Sequence, residues 1–276
     1  MKIVIYGAGG IGSSVGGHLR RVGQDVVLIG RPGHVEAINE HGLRLVTPAG
    51  THILRLPAVT SPDQIDFRPD DVVFLCVKGQ NTEEALRDLS AVTKETPVFC
   101  FQNGVRNEEI AARYFTRVYG VMIRAGAVFL TNGEVMSRRD PPGSLVVGRY
   151  PQGTDQLTEE VAGKLRSCGY SVTVTPDIMP YKWGKLVTNV ANAVRAVTDT
   201  TGEEVDLISR AVRQEFRDLL TKAGIRWVSL AEPAGAQPAK TSPPPAGADP
   251  EAQSSTWQSL TRRQGSVETE FLNGEV

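Results

Sequence analysis

Cysteine is scarce. Only Cys76, Cys100 and Cys168 stand in 276 residues. An odd, sparse set without CxxC spacing excludes a disulfide framework and points to a reducing compartment. Cys76 and Cys100 lie in apolar, strand-like runs, where a buried inert thiol is expected. The four histidines are scattered and show no metal-ligand spacing, so no metal site is expected. No apolar run reaches the ~18 residues of a membrane span, and no signal peptide precedes the first apolar segment. Charge of one sign is also lacking. A formal net charge of -1 gives no reason to expect nucleic acid or an anionic membrane as a partner. These absences leave a soluble, cytoplasmic protein as the expectation. Its 276 residues suffice for one large or two ordinary domains, and a hydrophobic content of 40% supports a sizeable core.

Glycine, by contrast, is abundant and patterned at the start. Ile3-Val4-Ile5-Tyr6 reads as a buried parallel strand. Gly7, Gly9 and Gly12 follow at G-x-G-x-x-G spacing. Ile11, Val15, Leu19 and Val22 then recur at helical spacing, and Val26-Val27-Leu28-Ile29 supplies a second strand. The glycines thus occupy a strand-to-helix turn. There Gly7 permits the tight turn, Gly9 lets backbone approach a pyrophosphate, and Gly12 lets helix pack close on strand. The helix N-terminus turns free N–H groups toward the phosphates. At the end of the second strand an NAD site carries an acid, about 20 residues past the glycines, for the ribose hydroxyl. Gly30-Arg31-Pro32-Gly33 offers none. Arg31 instead suits a 2′-phosphate and so favours NADP, the plainer alternative being a solvated surface arginine.

Further along, His34 to His41 reads as a short helix stopped at Gly42, and Leu43–Val46 with Ile53–Leu56 as a hairpin across Pro48-Ala49-Gly50. Val72–Val77 and Pro97–Phe101 are buried strands. Between them Asn81 with Glu84 resembles a capping box opening a helix through Leu89. Strands alternating with helices argue for a doubly wound parallel sheet. From Val118 the pattern turns strand-rich: Val121 to Leu130, Glu134–Met136 and Leu145–Val147, with Asn132-Gly133 as a hairpin signal. A helix at Thr158–Leu165 and a strand at Ser171–Val174 follow. Pro176-Asp177 then opens one long helical stretch to about Val197, so the domain boundary is placed there: 1–175 α/β, 176–276 helical. Leu207 to Leu220 is helical and ends near Gly224. Glu232 to Gln253, rich in Pro, Ala, Gly and Ser, is expected to be a mobile loop.

Within the helix after Pro176, Lys185, Asn189 and Asn192 share one face at i, i+4, i+7, while Leu186, Val187, Val190, Ala191 and Val194 are apolar. Such a polar stripe faces either water or a polar cleft, where a lysine could act as general acid. Ser266 would cap a helix and put Glu268 in its first turn. Capping alone accounts for that acid, and the alternative is that Glu268 enters the same cleft as Lys185.

The order of motifs carries a resemblance. GAGGIG at Gly7–Gly12, LIGR ending at Arg31, CVK ending at Lys78, QNG at Gln102–Gly104, KWGKLVTN at Lys182–Asn189, SSTWQSL at Ser254–Leu260 and GSVETEFLNG at Gly265–Gly274 span nearly the whole chain. The sequence resembles the ketopantoate reductases (2-dehydropantoate 2-reductases). That resemblance implies an NADP-dependent Rossmann-type domain joined to an all-helical domain, with the active site in the cleft between. It implies Lys185 as the proton donor to the ketone oxygen and Glu268 as its supporting acid. It further implies Ser255 at the substrate carboxylate, Asn103 at nicotinamide and substrate, Lys78 near the cofactor and Asn189 on substrate. Departures are equally specific. The family's second asparagine, eight residues past the lysine, is here Ala193, with Asn192 one residue earlier and about 100° round a helix. The Pro-rich segment lies where relatives carry helix. The implied activity is NADPH-dependent reduction of 2-dehydropantoate to pantoate, on the route to pantothenate and coenzyme A, with a homodimer as a candidate assembly. The alternatives are a related reductase of another 2-keto acid or imine, or a non-catalytic NADP-binding protein.

Overall fold

The structure, a computed structural model, describes residues 1–198, 202–230, 240–241, 256, 259–260 and 267–276. These form two bodies. The first comprises Met1–Gln102 and Arg106–Ile178 together with the strand Lys240–Thr241; the second comprises Asn103–Val105 and the other described residues from Met179 onward.

The first body runs β1 (Ile3–Tyr6), α1 (Gly10–Arg21), β2 (Val26–Ile29), α2 (Pro32–His41), β3 (Leu43–Thr47), β4 (Gly50–Leu54), β5 (Ala58–Val59), β6 (Val72–Leu75), α3 (Thr82–Val92), β7 (Val98–Cys100) and α4 (Asn107–Ala112). It continues through β8 (Val118–Ala125), β9 (Ala127–Val128), β10 (Glu134–Ser137), β11 (Arg139–Asp140), β12 (Gly143–Arg149), α5 (Gln156–Ser167) and β13 (Ser171–Val174). An eight-stranded sheet has the order β13-β12-β8-β7-β6-β1-β2-β5. Every neighbouring pair is parallel except β8 with β12. β1 is the strand where the winding reverses, with β2 on one side and β6 on the other in matching register, Ile3 opposite both Val26 and Val72.

The strands are apolar at consecutive positions because both faces of the sheet are covered. Ile3, Ile5, Leu28 and Phe74 pack on one face against Val15 and Leu19 of α1 and Val161 and Leu165 of α5. Val4, Ile29, Val73 and Leu75 pack on the other against Leu86 and Leu89 of α3 and Ala111 of α4. On the first face Phe74 stacks on Phe101 at 4.4 Å and Phe99 on Tyr119 at 4.2 Å between ring centroids.

Sequence periodicity did not disclose a second, four-stranded sheet, β4-β3-β10-β9. It joins the expected 43–56 hairpin to the hairpin around Asn132-Gly133, and it packs Leu43, Leu45 and Val135 into the same cluster as α1. The run Val121–Leu130, expected as one strand, is therefore two. The chain leaves the large sheet after Ala125 and enters the small one at Ala127, with the Gly126 carbonyl accepting from the Arg138 N–H at 2.8 Å. The capping box expected at Asn81 is not formed. Asn81 occupies the N-cap of α3, but its side chain makes no capping hydrogen bond, and the chain arrives through a 3-10 turn at Gly79–Asn81. Of the segment expected to be a mobile loop, Lys240–Thr241 alone is described. It is the short strand β14, antiparallel to β11; the rest of that segment lies outside the described residues.

In the second body, α6 (Met179–Asn189), α7 (Asn192–Thr198) and α8 (Glu203–Lys222) precede a 3-10 turn at Glu268–Phe271. The single helix expected from Pro176 to Val197 is broken at Val190-Ala191. Leu186, Val187, Val190, Phe216, Leu220 and Leu272 form the core, joined by Val105. After α8 the chain returns along α6, the Val228 N–H donating to the Pro180 carbonyl at 2.9 Å. A Cβ at Gly184 would overlap the Val228 carbonyl oxygen, which accounts for the glycine inside KWGKLVTN.

A buried ion pair fastens the start of β1 to that of β6. Lys2 Nζ lies 3.1 Å from Asp71 Oδ2, and the Lys2 and Arg68 N–H groups donate to the same carboxylate at 2.8 and 2.9 Å. Asp71 is 0% exposed. Asp71→Ala leaves the ammonium with the Asp66 carbonyl but no counter-charge and leaves two N–H groups without their acceptor, so a stability loss of about 3–5 kcal/mol is expected, read as a lower urea midpoint with an unchanged slope.

Candidate functional site

At the C-terminal end of β1 the three glycines of the motif meet three different surroundings. Gly7 has φ +110°, and a Cβ there would lie 2.5 Å from the Val77 backbone nitrogen and 2.7 Å from the Cys76 carbonyl carbon. The turn and the close approach of the β6 exit both require glycine. A Cβ at Gly12 would overlap the Gly7 carbonyl oxygen and come within 2.9 Å of Ile5 Cγ2, so α1 sits directly on β1. At Gly9 a Cβ would meet nothing within 4 Å among the described residues. Packing does not require glycine there, and the backbone is open to the approach of a ligand. Gly9 is also the N-cap of α1, and the first intrahelical bond is Ser13 N–H to the Gly9 carbonyl at 2.9 Å. The N–H groups of Gly10, Ile11 and Gly12 precede that bond, and no acid stands in the first turn to compete for them. The residues fit a dinucleotide pyrophosphate by this test.

Arg31 and Lys78 open from the strands on either side of β1. Arg31 is the N-cap of α2 just after β2, exposed, and makes no hydrogen bond or ion pair with the described residues. Gly30 before it holds the chain against the loop, where an added Cβ would lie 3.0 Å from Ala8 Cβ. Lys78 follows β6 and is half-buried. The topology thus gathers Gly7, Gly9, Gly12, Arg31 and Lys78 at the carboxyl ends of β1, β2 and β6, on the rim where the winding reverses, and open α/β sheets bind ligands there.

Beneath Arg31 lies a contact that sequence reasoning missed. The Gly133 N–H donates to His34 Nδ1 at 2.8 Å, which leaves the ring proton on Nε2 to donate to Ser13 Oγ at 3.1 Å. One neutral imidazole thereby ties α2, the N-terminal part of α1 and the β9–β10 hairpin. Burial holds the His34 pKa down at about 4. His18, on α1 and set edge-on to Tyr170, is likewise lowered to about 4, by burial and by neighbouring Arg21 and His52. An isolated Ser and His 21 residues apart carry no sequence signal of this pairing.

The second body holds the remaining candidates. Lys185 and Asn189 stand one turn apart on α6, the former half-buried, the latter 5% exposed. Asn189 Nδ2 is buried and has no hydrogen-bond partner among the described residues. Asn192 does not continue that face, since it opens the separate helix α7; the reckoning of 100° along one helix therefore does not apply. Lys182, three residues before Lys185, is 2% exposed and hence not a solvated lysine. Glu268 is 9% exposed and begins a 3-10 turn whose N-cap is Val267, not Ser266. Asn103 belongs to the second body as well. Ser255 and Ser266 lie outside the described residues.

A two-body α/β protein with a glycine-loop sheet and a helical partner is a widely shared fold, and comparison with known proteins narrows it. The sequence pattern of the family described as ketopantoate reductase PanE/ApbA matches residues 3–152. The 2-dehydropantoate 2-reductase of Archaeoglobus fulgidus is 30% identical over 283 residues, covering 100% of this chain and 89% of that protein. The one from Pyrococcus horikoshii is 36% identical over 200 residues, 72% of this chain, and there the chain spans 64% of the relative's length. Among solved structures, a PanE/ApbA family ketopantoate reductase from Ralstonia eutropha superposes with a TM-score of 0.80 at 27% identity, covering 100% of this chain and 90% of that one. D-mandelate dehydrogenase in ternary complex with NADH and anilino(oxo)acetate shares the fold at the same TM-score and coverage, at 22% identity. The chain belongs to the ketopantoate reductase family.

Two measurements test this geometry. Gly9→Ala is expected to leave the melting temperature unchanged while weakening nucleotide binding at least tenfold, whereas Gly12→Ala lowers the melting temperature itself. The histidines also set a pH dependence. Because their folded pKa values are depressed, their contribution is fully present above about pH 6.5 and is lost as pH falls toward 4, by roughly 3 kcal/mol for each. Urea midpoints measured between pH 7 and 4.5 should fall steeply in the parent and less steeply in His34→Gln.

Proposed function

We propose that the protein reduces 2-dehydropantoate to pantoate with NADPH, serving pantothenate and coenzyme A synthesis in the cytoplasm. The observation that carries the reading is the open space above Gly9 at a helix N-terminus, in a chain whose relatives are named 2-dehydropantoate 2-reductases. The loop N–H groups from Gly10 to Gly12 would hold the pyrophosphate, Arg31 would pair with the 2′-phosphate that distinguishes NADP from NAD, and Lys78 would be a further contact to the cofactor. When bound, NADPH supplies the hydride that reduces the ketone carbon.

The chain's own side chains then bind, orient and move one proton. Lys185 Nζ protonates the oxygen of the reduced carbonyl. Glu268 keeps that lysine charged and oriented. The Asn189 amide, buried and with its Nδ2 unpartnered among the described residues, donates to the substrate, and its desolvated N–H makes the hydrogen bond discriminating, because a ligand lacking the acceptor leaves it unsatisfied. Asn103 and Ser255 fix the keto acid at its carbonyl and carboxylate ends. Asn192 is a further polar group for the pocket. A second reading, a related reductase of another 2-keto acid, is favoured by one feature: Ala193 replaces the family's second asparagine, and the helix restarts at Asn192.

Cofactor choice is tested by comparing NADPH with NADH. NADPH is expected to bind more tightly, and Arg31→Ala should shrink the preference about tenfold, as expected for one charge-assisted contact of roughly 1.5–3 kcal/mol. Equal affinities in the parent would refute the assignment. For the proton donor, Lys185→Ala should lower turnover by about 10²–10⁴ with NADPH affinity nearly unchanged. Lys182→Ala should instead lower the melting temperature, because that lysine is buried. A turnover profile across several 2-keto acids identifies the substrate.

A further inference from the structure

FLNG near the end of the described chain carries no assigned role, yet it reaches the break in the substrate helix. Leu272 is 1% exposed and packs with Leu186, Val187 and Val190. The next residue, Asn273, donates from Nδ2 to the Val190 carbonyl oxygen at 2.8 Å. Val190 is the first residue after α6, and Asn192 is the first of α7. At the close of a helix the last carbonyls have no intrahelical donor and need one from elsewhere. The Asn273 amide meets that need at a carbonyl lying between Asn189 and Asn192.

We infer that Asn273 is a positioning residue: by holding the Val190 carbonyl it fixes the α6–α7 break and with it the direction of the Asn189 amide toward the keto acid. The inference rests on the proposed reading for its substrate. Its geometry is independent of that reading, since donor, acceptor and the unpartnered Asn189 Nδ2 all belong to the second body. Water cannot substitute well, because Val190 is 1% exposed. The Gly274 N–H closes onto the Thr269 carbonyl at 3.0 Å, so the turn that presents Asn273 is itself anchored.

The test compares Asn273→Asp, Asn273→Ala and Asn273→Gln with Leu272→Ala in the full chain. Aspartate keeps the shape of asparagine and removes the N–H donor; glutamine keeps the donor one carbon further out. Asn273→Asp and Asn273→Ala are expected to raise the KM for 2-dehydropantoate about tenfold, with NADPH affinity within twofold of the parent. Asn273→Gln should recover part of the loss. Leu272→Ala, a packing defect in the same core, should lower the melting temperature with KM little changed. A KM in folded Asn273→Ala equal to the parent's, or one that follows melting temperature alike in Asn273→Ala and Leu272→Ala, overturns the inference.

If the parent itself does not reduce 2-dehydropantoate, the functional reading fails, and amide hydrogen exchange then decides this inference alone. Faster exchange in Asn273→Asp at residues 190–194, with the α8 amides unchanged, supports it; parent-like exchange there overturns it.

Discussion

Helix α1 has almost no free side, and the rest of the first body is arranged around that fact. Every residue from Gly12 to Leu19 is buried. One flank lies on the large sheet, where an added Cβ at Gly16 would come within 2.8 Å of Leu28 Cδ2; the other lies under the small sheet, where one at Gly17 would come within 3.3 Å of Leu45 Cδ2. Glycine inside a helix costs about 1 kcal/mol relative to alanine, so these positions oppose helix formation locally. Burial of Val15 and Leu19 between two sheets offsets that cost and brings the N-terminus of α1 close to the strand ends. Close packing and an open loop at Gly9 are two results of the same arrangement.

Much of this was legible in the sequence because it is written in short-range pattern. The glycine spacing, the apolar runs of β1, β2 and β6, and the helix stopped at Gly42 each depend on neighbours within a few residues. What escaped depends on residues far apart. Nothing local marks Gly126 as the point where the chain changes sheets, nor shows that β3 pairs with β10, about 90 positions later. The stripe expected over Lys185, Asn189 and Asn192 does not run as one helix face, because the helix breaks between Asn189 and Asn192, and periodicity passes over such a break. The expected capping box at Asn81 failed for a related reason: the approach through a 3-10 turn gives Asn81 a backbone conformation of φ -104° and ψ 3° instead of the extended one a capping side chain uses.

Several residues of the family motifs are taken up by folding the protein. In KWGKLVTN, Gly184 admits the returning chain and Leu186 and Val187 fill the core. In QNG, Gln102 donates to Thr82 Oγ1 at 2.6 Å, and that hydroxyl donates to Asn107 at 2.9 Å, a buried chain that secures the segment from which Asn103 emerges. A motif is therefore a poor guide to function until its packing members are set aside.

The passage of the chain through Gly126 also bears on how the first body comes apart. β8 and β9 are consecutive in sequence but belong to different sheets, and both sheets grip α1. Peeling the small sheet from α1 would pull on the central strand β8 and expose Leu43, Leu45 and Val135 to water. The two sheets and the helix between them therefore open together, as one cooperative unit with a common free energy, and the nucleotide loop at the tip of α1 inherits the rigidity of the whole unit.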